Sequence, residues 1–137
     1  MQYTLYGLDP DCAKGAGTKS NSCGLHIHSG TTCTSDAAGH YYTGTVTADP
    51  WTNVVYNPSA DGVASASATV MTGATETQVR GKAIIIHDYA GARAACAIIG
   101  SPTNVPAPGQ ALRLDAAQGA GIGASGGFVA GLLFGII

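Results

Sequence analysis

Short runs in which apolar and polar residues alternate, separated by stretches of turn formers, divide this chain into strands and loops. Residues 2–8 alternate and stop at Asp9-Pro10, as a short strand does. Residues 9–21 are mostly Asp, Lys, Gly, Ser and Thr around Cys12, which predicts an exposed excursion. Strand character resumes over residues 24–28. Residues 29–52 read as loop again, yet they carry Cys33, His40, Tyr41-Tyr42 and Asp49-Pro50-Trp51, more chemistry than any strand.

Residues 53–57 and 63–71 are two alternating runs joined across Pro58-Ser59-Ala60-Asp61-Gly62, whose Asp-Gly predicts a hairpin. Residues 81–88, with three consecutive isoleucines, form the most strand-like segment of the chain. Residues 94–99 are the expected partner across Tyr89-Ala90-Gly91-Ala92-Arg93, giving a second hairpin. After Gly100 the character changes: Pro102, Pro106 and Pro108 exclude a central strand. The folded domain is expected over residues 1–100, followed by a Pro/Gly/Ala-rich linker over 101–127 and a hydrophobic tail over 128–137.

A length of 137 residues supports one domain with its own core. Twenty glycines, abundant Ala, Ser and Thr and few long helix formers favour an all-β fold. Charged residues make up 10% of the chain and the formal net charge is -2, so nothing points to nucleic acid or to an acidic membrane surface. The expected partner is small, and the oligomeric state is open.

Four cysteines, Cys12, Cys23, Cys33 and Cys96, favour disulfides over metal ligation, with a local Cys12–Cys23 bridge closing the first excursion. Free thiols at those two positions are the alternative. The amino terminus has no basic segment followed by an apolar run, so export is inferred from the cysteines alone. The uncharged last ten residues are too short for a comfortable membrane span. With small residues at Asp115-Ala116-Ala117 and a spacer over 118–127 they fit a lipid-anchor signal. A glycine-rich helix on a partner, or a truncated span, is the competing reading.

The four histidines carry the chemistry. His26 and His28 lie two apart on one predicted strand, so both rings project from one face with Cα atoms about 6.5 Å apart. His40 follows Gly39 in the long loop, and His87 ends the isoleucine strand. Neutral imidazoles converging on one point suit a transition metal, copper in particular.

The runs Gly24-Leu25-His26-Ile27-His28, Gly39-His40, Gly81-Lys82-Ala83-Ile84-Ile85-Ile86-His87-Asp88 and Gly91-Ala92-Arg93-Ala94-Ala95-Cys96 together resemble the copper-zinc superoxide dismutases over residues 2–100. The resemblance implies a Greek-key β-sandwich or barrel and conversion of superoxide anion to oxygen and hydrogen peroxide. It implies copper ligation by His26, His28, His40 and His87, with His40 in the place of the histidine that bridges copper to zinc. It also implies an anion-guiding role for Arg93, and a Cys33–Cys96 disulfide closing a loop long enough to contribute about 4 kcal/mol in the chain-entropy model.

Two departures follow. Residues 41–71 contain no histidine, so zinc is not expected, and the chain is most like the copper-only extracellular branch, in which a carboxylate steadies the third histidine. Asp49 is the first candidate for that carboxylate and Asp61 the second. The family's first hairpin has no counterpart here. Either the chain begins inside the domain or something else covers the open edge. Tyr41, Tyr42 and Trp51 read as packing residues. The competing functional reading is a non-catalytic copper-binding or structural cell-surface module with a dismutase-like fold.

Overall fold

A computed structural model describes residues 1–100 together with two short strands, Asp115–Ala116 and Ala130–Gly131. The strands are β1 (Gln2–Leu5), β2 (Leu25–His28), β3 (Ala64–Ser67), β4 (Ala83–His87), β5 (Arg93–Ile98), β6 (Asp115–Ala116) and β7 (Ala130–Gly131). All described pairings are antiparallel. Among the described residues helix is limited to a 3-10 turn at Pro10–Lys14 and one short helix, α1 (Glu76–Val79). The fold is therefore all-β. Its strands form a three-stranded sheet in the order β3-β1-β7 and a four-stranded sheet in the order β2-β4-β5-β6.

The isoleucine strand is the axis of the larger sheet. All five residues of β4 are buried, because both faces are covered and neither edge is free. Residues opposite one another across a ladder share a face, so the register sorts the sheet into two sides. Leu25, Ile27, Ile84, Ile86, Ala95 and Ala97 face the main core, which also takes Leu5, Leu8, Trp51 and Tyr56. His26, His28, Ala83, Ile85 and Cys96 face the other way, beneath the long loop that brings Ala37 and Cys33 against them. The histidines thus stand on the loop side of the sheet, with the apolar core behind them.

The β4–β5 hairpin spans nearly the predicted residues, with one irregularity. Pairing runs in register from Ala83↔Ile98 to Ile86↔Ala95 and then slips to His87↔Arg93, leaving Ala94 as a bulge. A bulge of one residue turns the following side chain to the opposite face. It places Arg93 on the face of His87.

Two expectations are corrected. The predicted hairpin of residues 53–57 and 63–71 does not form. The turn closes, with Val63 O accepting from Ser59 N–H at 2.7 Å, but the two runs then part. Val54 and Tyr56 bond to Leu25 and Cys23 of the neighbouring segment, while β3 pairs with β1. Alternation specifies strand character; burial chooses the partner, and here Tyr56, 1% exposed, is drawn under the sheet. The 9–21 excursion is likewise not exposed throughout. Its Cys12 is fully buried and bonded to Cys23, with both sulfurs inside the main core.

The second disulfide joins Cys33 to Cys96 across 63 residues. Two disulfides are compatible with an extracellular protein. Among the described residues no helix is long and apolar enough to cross a membrane. Apart from the pairing of β6 with β5 and of β7 with β1, the linker and tail readings over 101–137 lie outside the described residues.

Replacing Cys33 and Cys96 together by Ala should lower the free energy of unfolding by about 4 kcal/mol in the loop-entropy model. Urea titration measures this. A loss under about 1 kcal/mol would show that packing of Ala37 alone holds the loop.

Candidate metal centre

Three elements deliver the four imidazoles. His26 and His28 come from β2, His87 from the end of β4, and His40 from the loop, which docks through an isolated bridge between His28 and His40. Two further loop bonds, Ser29 N–H to Gly39 O at 2.9 Å and Gly30 N–H to Ala37 O at 2.8 Å, hold that loop along β2. His26, His28 and His40 each offer a ring nitrogen, and these three atoms lie within 4.8 Å of one another. The trio could hold a metal ion. His87 closes the fourth side, its Nε2 3.4 Å from His28 Nε2 and its ring centroid 5.2 Å from that of His26.

The outer nitrogen of every ring is tied. His28 Nδ1 donates to Ala38 O at 2.7 Å, His87 Nδ1 to Gly91 O at 3.0 Å, and His26 Nε2 to Val54 O at 3.0 Å. His40 Nδ1 donates to Asp49 Oδ2 at 2.7 Å. A neutral imidazole with one N–H donated carries its lone pair on the other nitrogen. Four lone pairs are therefore turned inward, at His26 Nδ1, His28 Nε2, His40 Nε2 and His87 Nε2. The first is buried without any hydrogen-bond partner, the only such side-chain atom among the described residues. A buried polar atom left unpaired is costly, and a cation bound at that point would satisfy it. A donor set that is all imidazole, with an acceptor fixing each outer N–H, is chemically suited to a transition metal.

Burial keeps three of these rings, His26, His28 and His87, neutral. His26 is 1% exposed and its pKa is lowered to about 3, first by desolvation and then by the neighbouring histidines. Desolvation also lowers His87 to about 4 and pulls His28 down. His40 is the most accessible of the four, with 11% of its side chain exposed. A cleft of about 440 Å³ opens over His26, His40 and Asp49, walled on its far side by residues 16–22. Burial acts to raise the Asp49 carboxyl, but the Trp51 N–H at 2.9 Å and the His40 ring outweigh it and hold the carboxyl below its ordinary value. Asp49 is thus an ionised acceptor locked in place.

The structure brings Asp49 to His40 and leaves Asp61 exposed in the 59–62 turn beside Leu8. Arg93 reaches over the loop, its Nη2 2.8 Å from Asp36 Oδ1 and 3.3 Å from Ala38 O, the carbonyl that His28 also uses. Trp51 is a core residue whose Nε1 donates to Tyr41 O at 2.8 Å, and it anchors the segment that carries Asp49. Tyr41 and Tyr42 pack partly buried against the same core. Cys33 and Cys96 form the bond that holds the loop beside the trio.

Sequence reasoning misses several members of the site. Val54, Ala38 and Gly91 act through carbonyls, which no residue type announces. Tyr56 donates its hydroxyl to His87 O at 2.6 Å, fixing that residue's backbone from within the core. Gly24 stands so close to His26 that a Cβ would lie 2.2 Å from Cε1 of the ring. The Gly two residues before His26 was a readable signal of close approach. Comparison with protein-family models, with curated proteins and with solved structures finds no match for this chain.

Gly24→Ala should displace the His26 ring and weaken metal binding by about 10- to 100-fold, the range of other perturbations of ligand orientation. Isothermal titration with copper measures it, and unchanged affinity would show that the ring is not a ligand. The pH response follows from the buried rings. An unfolded chain takes protons on histidine near pH 6.5, while folded His26 and His87 refuse them down to about 3 and about 4. Stability of the metal-free protein is therefore full above pH 6.5 and declines as pH falls toward 4. The urea midpoint should fall between about pH 7 and about pH 5. A flat midpoint would mean that the rings protonate in place.

Proposed function

We propose that this chain is a copper-dependent superoxide dismutase of the zinc-lacking kind, built on a Greek-key β-sandwich and working outside the cell. The observation that carries this reading is the set of four inward lone pairs, each fixed by an acceptor on the outer nitrogen of its ring. His28 Nε2 and His87 Nε2 face each other at 3.4 Å. Two neutral rings with their lone pairs so placed repel unless a cation lies between them. The ligand order and spacing, the disulfide beside the loop and an arginine over the site all agree with the family that the sequence resembles.

His26, His28, His40 and His87 would hold the metal. Copper in that place supplies the one-electron couple by which one superoxide is oxidised to oxygen and a second is reduced, with two protons, to hydrogen peroxide. The chain's own residues do the rest. Arg93 presents a fixed positive charge beside His28 and His87, which raises the local concentration of a small anion and speeds its arrival. Asp49 holds Nδ1 of His40, so a proton reaching that ring from solvent can be carried only at Nε2. The Asp49 carboxylate occupies the ring nitrogen that zinc takes in the zinc-containing members, supporting a site without zinc. The cleft over His40 gives protons a route from water.

The test is metal content by mass spectrometry after exposure to copper and zinc, followed by superoxide decay in pulse radiolysis. One copper per chain, no zinc, loss of copper in His87→Ala and a rate about tenfold lower in Arg93→Gln are expected. Copper binding without superoxide decay would replace the enzyme by the non-catalytic copper module. Failure to bind copper would remove both.

A further inference from the structure

The guanidinium that overlooks the site is not free. Arg93, with 35% of its side chain exposed, is paired with Asp36, whose side chain is 81% exposed. The carboxylate oxygen that accepts from Arg93 Nη2 at 2.8 Å also accepts from Ala38 N–H at 3.1 Å. That second bond closes a turn of the kind in which Asp or Asn bonds the backbone two residues on. Ala38 inside it stands at φ 59, a conformation uncommon for a residue with a Cβ. The Ala38 carbonyl so aimed accepts from both His28 Nδ1 and Arg93 Nη2. One oxygen of Asp36 therefore fixes the guanidinium directly, and fixes a ring of the metal centre through a single carbonyl.

Charge gives Asp36 a second effect. Its hydrogen bond from Arg93 holds the carboxyl below the ordinary range, so the group is anionic at neutral pH. Seen by an arriving anion, an Arg93–Asp36 pair is nearly neutral at distances larger than the pair itself, whereas an unpaired guanidinium is a full positive charge. Orientation and attraction are thus opposed in one residue.

We infer that Asp36 is a positioning residue that sets the affinity of the site for small monovalent anions, orienting Arg93 and damping its charge at the same time. That the physiological anion is superoxide rests on the dismutase reading; the control of anion affinity does not.

Asp36→Asn keeps an acceptor able to close the same turn and removes only the charge. Asp36→Ala removes both. Sodium azide is the probe, read in two ways: by the Arg93 Nε–H resonance of the metal-free protein, and by the azide absorption band of the copper-loaded protein. Asp36→Asn should bind azide about threefold more tightly at an ionic strength of about 0.01 M, with the gain shrinking at about 0.15 M as screening sets in. Asp36→Ala should lose the fixed Arg93 resonance and bind copper more weakly than Asp36→Asn. In an Arg93→Gln background the effect of Asp36→Asn should vanish. Unchanged azide affinity in Asp36→Asn, or the same gain with and without Arg93, would overturn the inference. A wild-type protein that takes up no copper would end the dismutase reading, while the metal-free arm still decides the role of Asp36.

Discussion

A strand with no solvent face sets the terms for the rest of the molecule. Every residue of β4 is buried, so its two sides must be filled by different partners. Isoleucines 84 and 86 point into a continuous apolar core, and Ala83, Ile85 and His87 lie under a loop. The division of labour follows from pleat alone, because alternate residues of a strand cannot share a side. Packing one face tightly is what lets the other face hold polar rings still. Three of the imidazoles then gain an acceptor from backbone carbonyls, and the fourth, His40, from the Asp49 carboxylate.

The acceptors decide the chemistry more than the rings do. A buried histidine with no fixed N–H has two tautomers and no preferred donor atom. Here Val54, Ala38, Gly91 and Asp49 remove that freedom, and desolvation removes the competing protonated form at three of the rings. What remains is a set of neutral donors whose lone pairs converge. Three of the four acceptors are carbonyls, uncharged and pinned, so the cluster carries little negative charge; the exception, Asp49, sits at the least buried ring.

Features whose geometry is set within a few residues were legible, and pairings chosen by packing were not. The isoleucine hairpin could be read because its turn dictates its register, and the His-x-His strand because spacing dictates its face. The supposed hairpin around Asp61-Gly62 could not, since a closed turn does not oblige its flanks to pair. Tyr56 left for the sheet core and Ala64–Ser67 for the amino-terminal strand. At the site, residue types with side-chain chemistry announced themselves: four histidines, Asp49 and Arg93. Asp36 did not, because an exposed aspartate in a loop has no pattern until Arg93 is seen to reach it from 57 residues away.

The bulge at Ala94 bears on how the protein tolerates change. Arg93 shares a face with His87 only because one residue of β5 is skipped in the ladder. Across the turn, Gly91 stands at φ 82 with its Cα hydrogen aimed at Ser20 O, where a methyl would lie 2.1 Å from that oxygen. Residues 88–94 are consequently constrained in number more tightly than in kind. Exposed positions such as Ala90 are open to substitution in a diverging lineage, but a single insertion or deletion would carry the arginine to the far side of the sheet while leaving every histidine in place. A chain that lost that count would keep its four imidazoles together but lose the positive charge beside them.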